Sequence, residues 1–184
     1  MSETQVVIRP PSAEETEAIL EVHRLAFGED DEADLVAQLL KDPTATPLIS
    51  VAAFVDDAAI GHVLLTNAVL EGAKQLTSRI MILAPLAVVP DSQDKGVGQH
   101  LVDSALMVAA GRQVDLVFVL GHPGYYPKCG FQPAGTLGFE APYPIPEKDA
   151  DAWMVIEVGD NVLEGLSGTV HPAEVLSRPE LWRE

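Results

Sequence analysis

The chain has 184 residues, 47% hydrophobic and 21% charged, which is enough to bury one sizeable core and predicts a single domain over 1–184. Eleven Lys and Arg against 28 Asp and Glu give a formal net charge of −17, so no basic stripe can replace phosphate counterions and nucleic acid is excluded as a partner. Cys129 stands alone and the five histidines lack ligand spacing, which argues against a disulfide and a metal; Met1–Gln5 has no basic start and no apolar stretch is of bilayer length, which predicts a cytoplasmic protein without a membrane partner.

Val6-Val7-Ile8-Arg9 reads as a short strand ended by Pro10-Pro11. Ser12 and Glu15 form a capping box, and Ile19, Val22 and Ala26 then share one helical face up to Phe27-Gly28. A second helix has the acidic first turn Glu29-Asp30-Asp31-Glu32, an apolar face at Leu35, Val36, Leu39 and Leu40, and a stop at Asp42-Pro43. Leu48 to Val55, the turn Asp56-Asp57 and Ala59 to Leu70 read as a hairpin, and a further turn at Glu71-Gly72-Ala73-Lys74 returns the chain into Arg79 to Val89. That makes a three-stranded meander.

Leu101, Val102, Ala105, Leu106 and Ala109 recur at helical spacing after Gly98, and the helix ends near Gly111. Val114 to Leu120 is a continuous apolar run suited to a strand buried on both faces, so strand, helix and strand form a parallel crossover. From Gln132 the chain is rich in Pro and Gly and reads as irregular as far as the strand Trp153 to Val158. Gly168-Thr169-Val170 is a short extended piece suited to an edge.

The stretch Leu86-Ala87-Val88-Val89-Pro90-Asp91-Ser92-Gln93-Asp94-Lys95-Gly96-Val97-Gly98-Gln99 carries the chemistry. It runs from a strand through a glycine-containing turn into a helix N-terminus, where unpaired N–H groups and a partial positive charge of roughly half an elementary unit face outward. Such a turn can seat a pyrophosphate without a basic cluster, which matters in a chain whose own field repels phosphates and attracts cationic amines. The dinucleotide fingerprint fails because Leu101 replaces its third glycine, and no Gly-Lys-Ser/Thr of a nucleoside-triphosphate loop occurs. Taken alone, the turn has an alternative reading as a connection that needs glycine only for its backbone angles.

Gln93-x-x-Gly96-x-Gly98, preceded by Leu86-Ala87-Val88-x-Pro90 and followed by Leu120-Gly121-His122-Pro123-x-Tyr125-Tyr126-x-x-x-Gly130-Phe131, resembles the GNAT superfamily of acetyl-CoA-dependent N-acetyltransferases, most of all its bacterial YhbS-like branch. Arg9-Pro10, Gly61-His62 and Gly168-Thr169-Val170 are similar too, though less specific. The resemblance implies an α+β, α/β-sandwich fold: a mixed sheet flanked by helices, with the strand Arg79–Val89 bulged near Leu86-Ala87-Val88 and splayed from Val114–Leu120. It implies that the pantetheine arm of acetyl-CoA lies in that gap, that the amides of Asp94, Lys95, Gly96, Val97, Gly98 and Gln99 hold the pyrophosphate beside Gln93, and that an N–H near Val88 faces the thioester oxygen.

The same resemblance makes Tyr126 the acid that protonates the departing thiolate, with aromatic packing over the cofactor slot as the alternative. Tyr125 reads as a wall residue, Cys129 as a small buried side chain, and Lys95 as either a phosphate contact or a solvated lysine. The deprotonating group stays open among waters near His62, His122 or Glu140. The implied reaction is acetyl transfer from acetyl-CoA to a primary amine, a small cation or a lysine or N-terminal amine, by direct attack in a ternary complex. A non-catalytic CoA-binding sensor and a longer acyl group are the alternatives; a homodimer is the working expectation. The acceptor site is expected at the first two helices, Glu29–Asp34 and Gly135–Pro146.

Overall fold

The computed structural model describes residues 4–72 and 78–183. In chain order its main elements are β1 (Val7–Arg9), α1 (Thr16–Phe27), α2 (Asp31–Leu39), β2 (Ile49–Val55), β3 (Ala58–Glu71), β4 (Ile80–Val88), α3 (Val97–Gly111), β5 (Leu116–Leu120), β6 (Gln132–Pro133), β7 (Phe139–Glu140), β8 (Trp153–Glu157) and β9 (Gly168–His171). The strand order is β1-β2-β3-β4-β5-β8-β6, with β9 paired to the far end of β3 and to β7. Every pairing along the main path is antiparallel except β4 with β5. That one parallel pair is the crossover expected around α3.

Strand alternation divides the interior in two. Leu64, Ile80, Ile82, Leu116, Phe118 and Val155 face the side covered by α2 and the C-terminal residues, where Val36, Leu39, Trp153 and Trp182 join them. Val63, Leu65, Met81, Val117, Val119 and Met154 face α3, which contributes Leu101, Val102, Ala105 and Ala109. β5 is therefore buried on both faces, the physical reason its sequence is apolar without interruption.

Several local expectations are refined. Glu15 accepts the Ser12 N–H at 2.8 Å and also pairs with Arg9, but the residues Ala13–Glu15 form a 3₁₀ turn and the α-helix starts at Thr16. The hairpin turn Asp56-Asp57 places both residues at positive φ, 48° and 67°, as a two-residue turn matched to strand twist requires. The turn expected at Glu71–Lys74 lies partly outside the described residues, since 73 and 74 belong to the gap. β5 begins at Leu116, two residues later than Val114. The segment expected to be irregular contains the short strands β6 and β7 among 3₁₀ turns.

A C-terminal segment is tied back over α2. The Asp42 carboxylate accepts hydrogen bonds from the Thr44 N–H (2.8 Å), the Thr44 hydroxyl (2.6 Å) and the Val175 N–H (3.0 Å). Burial alone would raise the pKa of Asp42, but these donors outweigh it and hold the group below the ordinary carboxylate range. Arg178 reaches Gln38 at 3.0 Å, and the Trp182 indole donates to the Leu176 carbonyl at 2.9 Å.

Candidate active site

β4 and β5 are in register only over Ile80–Ile82 and Leu116–Phe118, and beyond that they part. The cause lies on the other edge of β4. Its ladder with β3 pairs Val63 with Leu86 and Leu65 with Leu83, so Leu64 stands opposite two residues, Ala84 and Pro85. The bulge expected near Leu86-Ala87-Val88 thus sits just before Leu86, at a proline that has no N–H to give to a ladder. Past the bulge, Val89 donates to the Ile60 carbonyl at 2.9 Å, so antiparallel alternation turns the N–H groups of Val88 and Leu86 away from β3, toward the open side. The Val88 carbonyl faces the same way and accepts the Gln93 side-chain amide at 2.9 Å.

The parted strand ends enclose a cleft of about 360 Å³. Its sheet walls are Ile82 to Leu86 on one side and Val119 to His122 on the other; Tyr126 lines it as well, and Phe27, Glu32, Leu35, Leu176, Leu181 and Trp182 close the remaining side. Tyr126 is 9% exposed and opens the 3₁₀ turn Tyr126–Cys129, which ends on Gly130 in the left-handed region. The His122 carbonyl accepts the N–H groups of Tyr125 and Tyr126 at 3.0 and 3.3 Å, fixing the start of that turn.

The tight turn sends the two rings to different places. Their planes lie at 83° with centroids 5.1 Å apart. The Tyr126 ring lies over Gly121 so closely that a Cβ there would meet its Cε2 at 2.4 Å, and Phe131 abuts it edge-on. The Tyr125 hydroxyl ends at the first turn of α3, where a Cβ on Gly98 would meet it at 2.4 Å. Both glycines are thus seats for tyrosines.

The turn before α3 is bent by Asp94 (φ 60°) and Gly96 (φ 82°), and α3 starts at Val97. Ala87 and Val97 are buried, at 3% and 6% exposure, so they offer a ligand only their backbone. Lys95 donates to the Asp91 carbonyl at 2.9 Å and Gln99 to the Lys128 carbonyl at 3.4 Å. Lys95 therefore braces the loop from within, Gln93 ties it to the end of β4 and Gln99 ties α3 to the Tyr126–Cys129 turn, roles the sequence reading did not assign to those side chains.

The match of residues 16–131 to the acetyltransferase (GNAT) family decides the family, because those residues span α1 to Phe131 and include the turn, the parted strands and Tyr126. The chain belongs to the GNAT acetyltransferase family. It is 47% identical over 139 residues to the uncharacterized N-acetyltransferase YjhQ of Escherichia coli K12, covering 74% of this chain and 76% of that one. A GNAT family N-acetyltransferase, YhbS of Escherichia coli, solved in complex with CoA, superposes with a TM-score of 0.85 at 26% identity, covering 97% of this chain and 95% of the other. A GNAT acetyltransferase of Brucella melitensis, solved with acetyl-CoA, shares the fold at a TM-score of 0.73 and 21% identity, over 95% and 99% of the two chains.

Within this GNAT domain the three positions considered for the base fall apart. His122 lines the cleft. His62 is fully buried on β3, bonded to Ser50 (2.8 Å) and His23 (2.9 Å), and has no place at the cleft; Glu140 lines a separate cavity with Tyr143 and Trp153 and accepts the Thr169 hydroxyl at 3.2 Å. Much of Gly135–Pro146 borders that second cavity too, rather than the cleft. Cys129 is half-buried, and burial followed by the charge of Asp103 pushes its thiol up, the reverse of what a nucleophilic cysteine needs. Leu176, Leu181 and Trp182 are cleft residues that sequence reasoning missed, and they lie beyond the matched region.

Proposed function

We propose that this GNAT enzyme transfers an acetyl group from acetyl-CoA to a primary amine in a ternary complex, with Tyr126 as the acid. The observation that carries the reading is the gap between β4 and β5, which leaves outward-facing N–H groups on Leu86 and Val88, with Leu86 lining the same cleft as the buried phenol of Tyr126. Backbone donors buried without partners would cost about 1–3 kcal/mol each, so an extended arm with amide groups fits this gap as a third strand would. The turn Asp94–Gln99, with its left-handed Asp94 and Gly96 ahead of α3, suits a diphosphate held by main-chain nitrogens. The CoA and acetyl-CoA bound to the YhbS and Brucella relatives support the same donor here.

Acetyl-CoA supplies the activated acyl group. The Val88 N–H donates to the carbonyl oxygen as negative charge gathers there. A neutral amine attacks, the C–N bond forms and the C–S bond breaks, and Tyr126 passes its hydroxyl proton to the leaving sulfur. A phenol hydroxyl held against the departing sulfur is a workable proton donor. The proton lost by the amine nitrogen returns to the phenolate, and the ammonium's first proton leaves to water at the His122 side of the cleft. His122 is the one of the three proposed base positions that lines that cleft.

Thiol release from acetyl-CoA in the presence of amines tests this reading. Tyr126→Phe is expected to lower turnover by roughly 10²–10⁴ while calorimetric CoA affinity changes little. Full activity of Tyr126→Phe removes the phenol from the chemistry; CoA binding without thiol release for any amine favours a sensor over an enzyme.

A further inference from the structure

Residues 173–182 form no strand, yet Leu176, Leu181 and Trp182 among them line the cleft. They pack on the face of the sheet that α2 covers, whereas α3, at whose start the diphosphate is placed, covers the other face. Two side chains on the loop after α2 set the position of this wall. The turn Glu174–Leu176 opens with N–H groups that no carbonyl within the turn can accept. Acceptors come from far back in the chain: Glu174 donates to the Thr44 hydroxyl at 2.8 Å and Val175 to Asp42 Oδ2 at 3.0 Å. Asp42 Oδ1 meanwhile accepts the Thr44 N–H at 2.8 Å and the Thr44 hydroxyl at 2.6 Å, capping the turn Pro43–Ala45. One carboxylate, 7% exposed, thus caps two turns, one with each oxygen. Arg178 adds a brace, joining the Val175 carbonyl (2.9 Å) to the Gln38 side chain (3.0 Å). Trp182 donates to the Leu176 carbonyl at 2.9 Å and stands edge-on to Trp153, so the order imposed at Val175 passes through Leu176 to the far end of the wall.

Resting on the acetyl-transfer reading above, we propose that Asp42 and Thr44 are positioning residues for the acceptor: they fix the wall an amine meets on its way to the acyl carbon, and touch neither amine nor cofactor. Neither lines the cleft. Acetyl-CoA, placed between β4 and β5 and at the start of α3, draws its contacts from the sheet and from the opposite face, so the clasp bears on the amine alone. The bonding pattern also makes the carboxylate irreplaceable by its amide. Asp42→Asn keeps one acceptor oxygen and turns an NH2 toward the other partner, so a donor faces a donor at Thr44 or at Val175. The Thr44 hydroxyl can rotate to relieve this; the Val175 N–H cannot, and the wall is what gives way. Thr44 and Glu174 are exposed, so water can take over their bond and the fold outlasts its loss. What goes is the wall's fixed position.

Thiol release from acetyl-CoA with 2-phenylethylamine, spermidine and a lysine-containing peptide tests this, each variant being assayed with whichever of these the wild type acetylates. Asp42→Asn is expected to raise the KM for the amine about tenfold and Thr44→Val about threefold, with kcat and the KM for acetyl-CoA within about twofold of wild type. Thr44→Ser, which keeps the hydroxyl, is expected to restore the wild-type KM. Acrylamide quenching of tryptophan fluorescence reads the wall without turnover. Trp182 is 3% exposed in the clasped wall, so quenching is expected to rise in Asp42→Asn and Thr44→Val and to stay at the wild-type level in Thr44→Ser. An unchanged KM for the amine in Thr44→Val, a KM for acetyl-CoA that rises in parallel, or unchanged quenching overturns the proposal. Should Asp42→Asn fail to fold, the contrast between Thr44→Val and Thr44→Ser decides. A wild type that releases no thiol with any of the three amines defeats the transfer reading instead, and the quenching contrast tells that failure apart from failure of the clasp.

Discussion

Tyr126 depends on a neighbour that has no side chain. Its ring rests on Gly121 with no room for a methyl group, and Phe131 closes on it from the other side with ring centroids 5.6 Å apart. The phenol is therefore aimed by packing as much as by its own backbone. Gly121→Ala is expected to push the ring off its seat and lower kcat by roughly tenfold or more, because a displacement near 1 Å at a reacting group costs that much or more. CoA affinity in the same variant is expected to stay within a few-fold, and thermal unfolding should show the modest loss typical of overpacking, about 1–3 kcal/mol. A wild-type kcat in Gly121→Ala would mean that the ring's position does not matter. Tyr125 carries the contrast: its pKa is raised by burial first and then by Cys129 and Asp103, and its hydroxyl ends at Gly98 on α3, away from the cleft lining.

The elements that sequence reasoning recovered are those with local signals. α3 follows from apolar spacing, β5 from its unbroken run, and the β2–β3 hairpin from two aspartates that tolerate left-handed backbone. The C-terminal wall has no such signal, because what holds it is remote: Val175 bonds Asp42, Glu174 bonds Thr44 at 2.8 Å, and Arg178 bonds Gln38 across 140 residues of chain. Asp42, legible only as a helix stop, is the anchor. The bulge was legible as a family feature near Leu86-Ala87-Val88, and the structure puts it immediately before that triplet, because Pro85 is the residue that interrupts the ladder.

Packing of α1 on the sheet brings a further consequence. His23 of α1 and His62 of β3 are fully buried and bonded at 2.9 Å, with Ser50 bonded to the far nitrogen of His62. Burial lowers the pKa of His23 to about 4; burial and then the charge of His23 lower that of His62 to about 3. Both are neutral in the folded protein down to about pH 4, whereas in the unfolded chain they take up protons below about 6.5. The folded state therefore keeps its full stability above pH 6.5 and loses it as the pH falls from there toward the folded values. Each proton contributes up to about 1.4 kcal/mol per pH unit, so two histidines imply a loss of about 3–4 kcal/mol between pH 7 and pH 5. Denaturant melts at pH 8, 7, 6 and 5 check this, and a midpoint unchanged down to pH 5 contradicts it.

At the scale of the whole molecule, the formal charge of −17 and the proposed donor oppose each other. A CoA molecule is a polyanion, and the residues proposed to hold its diphosphate offer main-chain nitrogens in place of a basic cluster; Lys95, the lysine in that turn, is turned onto the Asp91 carbonyl. Local donors act over a few ångströms, while the repulsive field reaches over a Debye length, about 10 Å at 0.1 M salt and about 30 Å at 0.01 M. Added salt should then shorten the repulsion and leave the short hydrogen bonds nearly untouched. The KM for acetyl-CoA is expected to fall severalfold as ionic strength rises from 0.01 to 0.15 M, the reverse of a phosphate site built from lysines and arginines. The amine should respond oppositely, since the same field that repels the donor concentrates a cation, so its KM is expected to rise over that range. Steady-state kinetics at three salt concentrations separate the two slopes. A KM for acetyl-CoA that rises with salt would show that local positive charge, and not main-chain nitrogen, dominates its capture.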